Sequence, residues 1–385
     1  MVKKNKKILI LNGQYLPGYK GGGPIRSCVN MIENLSEKFE FYVLTSDRDH
    51  KSNKPYENIN INEWNWIGGA KVFYMSPDMQ TLKGFRKILN EIECDCIYLN
   101  GFFSPIFTIK PLILKRLKMI NNENIILTPR GDFTGGCETK KIKKYTYIYL
   151  SKFLGLYKDV LWHATSEIEE RDIKIKFKRS KTYLISNLST KYVKKEKIIN
   201  KNKGELKLVF ISRIFPKKNL KLALEVLKEI RDGNVIFDIY GPMEDKVYWS
   251  ECEKVIKNMP CNITVNYKGE LEHSKVGSVF QDYHAFFFPT FGENYGHVIV
   301  ESMLNNCMVI LSKGVTPWDD YHKECELLAE LNDFNGFVDI CKKLVLMNNE
   351  EYSNYVDRTS KYIKDKLENF NDKLKYEKML NKEMK

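Results

Sequence analysis

The chain has 385 residues, too many for one ordinary domain, and its 43% hydrophobic content is enough for more than one core. Its nine cysteines are scattered without a CxxC pair, and no run of eighteen apolar residues could span a bilayer. Structural zinc and a transmembrane helix are therefore not expected, and a reducing cytoplasm is. The net charge of +13 is placed unevenly: residues 1–200 hold 35 Lys and Arg against 20 Asp and Glu, the remainder 27 against 29. A basic first half beside a neutral second half predicts an anionic surface or an anionic acceptor as partner of the first. Without a helix-turn-helix, RNA-binding or zinc-finger signature, no nucleic acid is expected, and membrane phospholipid is preferred. The apolar run after the opening lysines stops at Leu11, too short for a signal peptide.

In chain order, the first predicted strand is Lys7–Asn12, followed by Lys20-Gly21-Gly22-Gly23-Pro24-Ile25-Arg26 and a helical pattern over Pro24–Glu37. Glycines let a backbone approach a ligand closely and proline suits a first helical turn, although the same run also reads as a surface turn. It is not GxGxxG, so a dinucleotide is not indicated. Strands follow at Phe39–Thr45, Lys71–Met75, Cys96–Asn100, Asn124–Thr128, Val160–Ala164 and Lys181–Ile185, with helices at Leu82–Ile92, Pro105–Met119 and Ser166–Phe177. Apolar strands alternating with helices predict a parallel, doubly wound α/β sheet. His163 and the Cys94/Cys96 pair read as core. The run Lys140-Lys141-Ile142-Lys143-Lys144-Tyr145, with Tyr147, Tyr149, Phe153 and Leu154, reads either as a solvated helix face or as a face lying on an anionic bilayer.

Polar residues 191–204 form a linker between a first domain, 1–190, and a second, 205–350. Strands restart at Leu206–Ser212, Val235–Tyr240, Asn262–Tyr267, Ala285–Phe288, Met308–Ser312 and Glu326–Ala329. A charged helical tail, 351–385, carries Tyr352, Tyr355, Tyr362, Phe370, Leu374 and Tyr376 as anchors and is expected to pack back on the first domain. The predicted architecture is two Rossmann-like domains facing a cleft, with that tail.

The second domain holds the strongest chemical pattern. Arg213 leaves an apolar strand and Lys218 opens the next helix; two cations around a proline-bearing loop suit a diphosphate. Tyr240-Gly241-Pro242 and Lys268-Gly269-Glu270-Leu271 end strands at the same sheet edge, as walls for a base and ribose or as plain punctuation. Then Pro289-Thr-Phe-Gly-Glu293-Asn-Tyr-Gly296 leads into an amphipathic pattern carrying Glu301. A helix from near Asn294 would place Glu301 about two turns inside and offer N–H groups to a phosphate. Carboxylates favour hydroxyls, so the segment implies a ligand with both phosphate and sugar.

In order and spacing, Arg213, Lys218, Gly241-Pro242 and the Glu293…Glu301 pair resemble the donor domain of glycosyltransferase family 4. Gly22-Gly23, Ser166-Glu167, Ile185-Ser186-Asn187, Thr316-Pro317-Trp318 and Pro129-Arg130-Gly131 extend the resemblance over residues 7–345, the last two towards its polysaccharide-building branch. The resemblance implies a retaining GT-B enzyme. In it Arg213 and Lys218 bind the donor diphosphate, Glu293 the transferred sugar and Glu301 the ribose. Backbone N–H groups of Asn294, Tyr295 and Gly296 meet the phosphate, and Gly22 and Gly23 close over it. Gly241 and Glu270 complete the donor site. Where the family has His-Gly after the fourth strand this chain has Asn100-Gly101, so Asn100 and Arg130 are the acceptor-side candidates. The phosphate arginine follows Ser212 rather than Gly.

The expected activity is metal-independent and cofactor-free transfer from a nucleotide diphosphate sugar to a saccharide acceptor, polyprenyl-linked, in bacterial surface polysaccharide synthesis. The expected place is the cytoplasm, peripheral on the inner membrane face. A nucleotide-sugar epimerase and a non-catalytic donor-binding subunit are the alternative readings.

Overall fold

The computed structural model describes residues 5–121, 124–133, 138–190, 197–368 and 371–382, with 138–142 described by backbone alone. Residues 191–196 of the expected linker, Phe370, and the side chains of Lys140, Lys141 and Ile142 lie outside that description. The chain divides into two compact units, Met1–Thr190 with Asn371–Lys385, and Lys191–Phe370.

The first unit is built on an eight-stranded sheet of order β3-β4-β2-β1-β5-β6-β7-β8. Its strands are β1 (Lys6–Leu11), β2 (Phe39–Ser46), β3 (Trp64–Ile67), β4 (Ala70–Met75), β5 (Cys96–Asn100), β6 (Ile125–Thr128), β7 (Leu161–Ala164) and β8 (Lys181–Leu184). All pairings are parallel except that of β3 with β4. The central strands are buried on both faces, which is why they read as unbroken apolar runs. Strand β3 is absent from the predicted set, although Gly68-Gly69 (φ 58° and 83°) between Ile67 and Ala70 is a hairpin signal. Helices α1 (Gly23–Leu35), α2 (Leu82–Glu91), α3 (Lys110–Arg116), α4 (Glu138–Phe153) and α5 (Glu167–Lys176) fill the crossovers. Ser166 caps α5 by accepting from the Glu169 N–H.

The second unit has a six-stranded, all-parallel sheet of order β11-β10-β9-β12-β13-β14. Its strands are β9 (Glu205–Ile211), β10 (Asn234–Tyr240), β11 (Ile263–Gly269), β12 (Ala285–Phe288), β13 (Met308–Ser312) and β14 (Leu328–Ala329). Its helices are α6 (Leu220–Lys228), α7 (Lys246–Ile256), α8 (His273–Phe280), α9 (His297–Leu304), α10 (Tyr321–Cys325), α11 (Phe334–Leu346) and α12 (Asn349–Glu368).

The C-terminal part differs from the single tail expected over 351–385. Helix α12 belongs to the second core, which contains Tyr352, Val356 and Ile363. Only the last helix, α13 (Asp372–Asn381), joins the first unit, where Tyr376, Met379 and Leu380 are buried and Lys38 pairs with Glu377 at 2.6 Å. Leu374, read as an anchor, is 42% exposed; the apolar positions that pack are Tyr376, Met379 and Leu380 at helical spacing. Among the described residues no helix is long and apolar enough to cross a membrane.

Candidate active site

The second sheet's carboxyl edge is assembled from three loops that hydrogen-bond to one another. The exits of β9 and β10 run side by side because Gly241 has φ 136° and no side chain; a Cβ there would stand 1.9 Å from the Ser212 carbonyl oxygen. Gly241 is therefore a packing requirement as well as strand punctuation. Ile214 N–H donates to Pro242 O (2.9 Å), and the N–H groups of Glu244 and Asp245 donate to Ile214 O (3.2 Å each). These bonds bring Glu244 Oε2 to 2.9 Å from an Arg213 guanidinium nitrogen. Glu244 is not among the sequence-predicted site residues; it follows the Gly-Pro turn, where a carboxylate balancing the arginine could have been sought.

Lys218 closes a short 3-10 turn, Pro216–Lys218, and Asn219 then takes the left-handed conformation (φ 57°) as α6 begins. Asn219 Nδ2 donates to Pro289 O (2.9 Å), Phe291 N–H to Lys217 O (2.9 Å) and Thr290 Oγ1 to the same carbonyl (3.2 Å). The loop after β12 is thus laid on the loop after β9, and the Lys218 ammonium meets the Glu293 carboxylate. Both side chains are mostly buried. The Phe215 ring lies under both cations, 5.1 Å from Arg213 and 5.9 Å from Lys218.

Helix α9 starts at His297, not near Asn294. The reason is Gly296, whose φ of 78° is a left-handed break and where a Cβ would press on Ile299 Cδ1 at 2.6 Å. Asn294, Tyr295 and Gly296 consequently belong to the loop, and Glu301 lies about one turn inside the helix rather than two. Tyr295 is buried against Trp318, whose indole N–H donates to the Tyr295 carbonyl. Glu301 Oε1 is 2.9 Å from His273 Nε2, the first residue of α8. That partner, 28 positions away, carries no sequence signal. Glu270 is exposed just beyond β11, and the N–H of Gly241 donates to Gly269 O (2.8 Å). The edge thus carries Arg213, Lys218 and Glu293 on neighbouring loops and Glu301 in the helix that follows, with each cation compensated by a carboxylate.

In the first unit, Gly22 (φ 66°) caps α1 and Gly23 is its first residue. The approach to this loop is held by Asp49, whose carboxylate accepts from the N–H groups of Tyr19 (3.0 Å), Lys20 (3.2 Å) and His50 (2.7 Å). Asp47 is bridged by Arg48 at 2.7 and 3.0 Å. Asp47 and Asp49, an Asp-x-Asp run not among the sequence-predicted site residues, directly follow β2, and both carboxylates accept hydrogen bonds from protein groups. Among the described residues no cluster of three or more His, Cys, Asp or Glu has metal-holding geometry.

At the first sheet's carboxyl edge, Asn100 Nδ2 donates to Pro24 O (3.2 Å) and its Oδ1 accepts from Arg130 Nε (2.6 Å). Arg130 also donates to Asn187 Oδ1 and to the Tyr98 hydroxyl (3.3 Å). Tyr98 meets His163 Nδ1 at 2.7 Å, and His163 Nε2 lies 2.8 Å from Ile185 O, so the imidazole is neutral with its proton on Nε2. Burial and the nearby Arg130 charge hold the His163 pKa at about 3. The Tyr376 ring from α13 closes this network edge-on, 5.1 Å from His163.

Residues 193–363 match the family model described as Glycosyl transferases group 1. The matched stretch lies in the second unit and includes Arg213, Lys218, Glu293 and Glu301. No curated protein matches the chain. Among solved structures, Anabaena HepE in complex with UDP and glucose superposes with TM-score 0.73 at 14% identity, over 98% of this chain and 100% of that one. Sucrose-phosphate synthase from Thermosynechococcus elongatus gives TM-score 0.68 at 14% identity, over 98% and 99%. WaaG, a glycosyltransferase involved in lipopolysaccharide biosynthesis, gives 0.64 at 11% identity, over 97% and 99%. At these identities the likeness establishes the fold: two Rossmann-like parallel-sheet units with a helical C-terminal region, the GT-B fold.

Proposed function

We propose that the protein is a retaining glycosyltransferase of the family 4 type. It takes a sugar from a nucleotide diphosphate donor and passes it to a saccharide acceptor on a lipid carrier, in bacterial surface polysaccharide synthesis. The observation that carries this reading is the set of two cations and two glutamates on the interlocked loops after β9 and β12 and on α9. It is supported by the family match over the same residues and by the UDP and glucose held by the HepE relative.

In this reading Arg213 and Lys218 take the donor diphosphate, Glu293 hydrogen-bonds the hydroxyls of the departing sugar, and Glu301, oriented by His273, binds the ribose. Gly22 and Gly23 give the diphosphate a close backbone wall, and Gly241, Glu270 and the N–H groups of Asn294, Tyr295 and Gly296 complete the donor site. The anomeric carbon loses its bond to phosphate oxygen and gains one to the acceptor oxygen on the same face, and the hydroxyl proton passes to the departing diphosphate. Fixed cations aimed at the developing phosphate charge supply the stabilisation that a bound metal would otherwise give. Membrane attachment through the first unit completes the proposal. Tyr149, Leu150 and Phe153 on α4 are 77%, 52% and 81% exposed, with Lys143 and Lys152 exposed on the same helix to meet anionic headgroups.

A thermal-shift screen against UDP-, GDP-, ADP- and TDP-sugars is expected to give one class that raises the melting temperature, and transfer from that donor should retain the anomeric configuration by NMR. Inversion, or no stabilisation by any donor, would overturn the reading; conversion of the donor alone to an isomeric donor would establish an epimerase instead. Flotation with anionic vesicles but not with neutral ones is the expected outcome for attachment.

A further inference from the structure

We propose that Asp132 is the residue that recognises the acceptor, binding one of its hydroxyls through the carboxylate oxygen Oδ1. This rests on the glycosyltransferase reading above and extends it to a residue outside the expected site set.

Arg130 and Gly131 have φ of 55° and 76°, two left-handed residues in succession directly beyond β6. For arginine this conformation is unfavourable and persists only where the surroundings enforce it. Here they do so from several sides. Each nitrogen of the Arg130 guanidinium is hydrogen-bonded, to Asn100, Asn187 and Tyr98. The Gly131 N–H donates to Glu169 Oε1 (2.7 Å), and Glu169 is itself fixed by the N–H and hydroxyl of Thr165 at 2.7 and 2.8 Å. The result of this enforced reversal is the position of Asp132. Its Oδ2 accepts the N–H groups of Phe102 (2.7 Å) and Phe103 (3.2 Å), the residues just past Asn100-Gly101 at the end of β5.

One oxygen is therefore anchored at the carboxyl edge of the sheet, where open α/β sheets receive ligands. The other, Oδ1, has no hydrogen-bond partner among the described residues. Lys144 on α4 gives its hydrogen bond to the Asp132 backbone carbonyl (3.1 Å) and not to the carboxylate. A half-buried carboxylate that is held by N–H groups and feels the Lys144 charge only at a distance, with no contact ion pair among the described residues, is poorly used as structure, because an N–H acceptor alone could be a neutral amide. It is well matched to a hydroxyl, which brings a donor and no charge. Arg130, by contrast, is spent on the framework, which makes it a positioning residue for Asp132 and Asn100.

Burial raises the Asp132 pKa against the opposing pull of the Phe102 and Phe103 N–H groups and the Lys144 charge, and the role assigned to Asp132 neither gives nor takes a proton. The bond from the anomeric carbon to phosphate breaks, the bond to the acceptor oxygen forms, and the hydroxyl proton leaves with the diphosphate. Asp132 contributes orientation of the acceptor and no proton transfer.

The test compares two acceptors with one donor. The wild-type enzyme and Asp132→Asn are assayed with the best donor of the thermal-shift screen, following hydrolysis to water and transfer to a panel of methyl glycosides. The amide keeps an oxygen for both N–H groups, so its melting temperature should stay within a few degrees of wild type. The expected result is a rise of tenfold or more in the methyl glycoside KM, with donor KM and hydrolysis to water changed less than twofold. An unchanged glycoside KM overturns the proposal, as does a parallel loss of hydrolysis and transfer, which would mark Asp132 as purely structural. If the wild-type enzyme neither hydrolyses nor transfers any donor, the glycosyltransferase reading itself falls and takes this inference with it. Arg130→Lys, which removes the fork but keeps the charge, should reproduce the glycoside KM defect in weaker form.

Discussion

The carboxyl edges of the two sheets carry different chemistry on related, mostly parallel frameworks. In the second unit the edge is ionic: Arg213 lies against Glu244 and Lys218 against Glu293, so each cation already has a carboxylate partner. In the first unit the edge is built from amides, phenols and a neutral imidazole around one arginine, with the Asp132 carboxylate held by backbone N–H groups. An edge of exchangeable ion pairs suits a phosphate, which can replace one carboxylate by another anion at little cost in desolvation. An edge of fixed neutral acceptors suits hydroxyls, which are selected by geometry. On the proposed reading, the second unit's edge is the one suited to a phosphate and the first unit's edge the one suited to hydroxyls.

The comparison breaks most readily at the cations. Arg213→Ala and Lys218→Ala are each expected to lower kcat/KM about a hundredfold to a thousandfold, about 3–4 kcal/mol of transition-state stabilisation. They should differ in stability. Arg213 and Glu244 are both partly solvated, so little is lost there. Lys218→Ala strands a mostly buried Glu293 and should cost about 1–3 kcal/mol in urea melts. If both variants transfer at near wild-type rate, the second edge is not the donor site.

These two cations were legible in the sequence for a physical reason that does not extend to the first unit. Arg213 emerges from an apolar strand, where a charge conflicts with its surroundings unless it has a partner, whereas Lys218, Glu293 and Glu301 stand out by their spacing around proline- and glycine-bearing loops. The parallel sheets were legible too, because strands buried on both faces leave continuous apolar runs. What stayed hidden depends on conformation or on long-range pairing. The break at Gly296 that delays α9, the Arg130–Gly131 reversal that turns Asp132 onto β5, and the pairing of His273 with Glu301 follow from backbone angles and approach distances. The division of the C-terminal helices also had no local signal, since α12 and α13 carry similar charged patterns and differ in which core they meet.

A second prediction sets the two units against each other through acid. Each holds one buried neutral histidine: His163 in the first, with a pKa lowered by burial to about 3, and His284 in the second, lowered by burial to about 4. In the unfolded chain both titrate near the ordinary value of about 6.5. The unfolded state therefore binds the proton first, so the stability is fully present above about pH 6.5 and is lost as the pH falls towards the folded values. Between pH 7 and pH 5 each group should remove about 2 kcal/mol. Urea melts at those two pH values check this, and His163→Gln should flatten the dependence of the first unit alone. Equal stability at pH 7 and pH 5 would show that these imidazoles are not held neutral.

A smaller effect separates the roles of charge and shape in the ionic edge. Glu293→Gln keeps the length of the side chain and its ability to hydrogen-bond a sugar, but removes the anion that occupies Lys218. Affinity for a free nucleoside diphosphate is then expected to rise about fivefold, about 1 kcal/mol, because the ammonium no longer has to exchange partners. Sugar transfer should fall at the same time, since a carboxylate is the stronger acceptor for sugar hydroxyls. Isothermal titration with the diphosphate, set beside turnover, distinguishes this from a simple loss of the site, in which both would weaken together.

The smallest expected effect tests whether Glu301 needs its partner. The contact with His273 Nε2 is 2.9 Å long, yet the histidine side chain is 44% exposed, so the bond competes with water. Exposed pairs of this kind contribute about 0.2–1 kcal/mol. His273→Ala should therefore raise the donor KM by only about twofold to fivefold and leave kcat nearly unchanged, because the ribose stays bound while the sugar departs. Glu301→Gln, which loses the acceptor itself, should raise the same KM further and make a second change at His273 nearly silent. If the two substitutions are instead additive, His273 acts on the donor independently of Glu301, and the ribose contact belongs to both residues rather than to the glutamate alone.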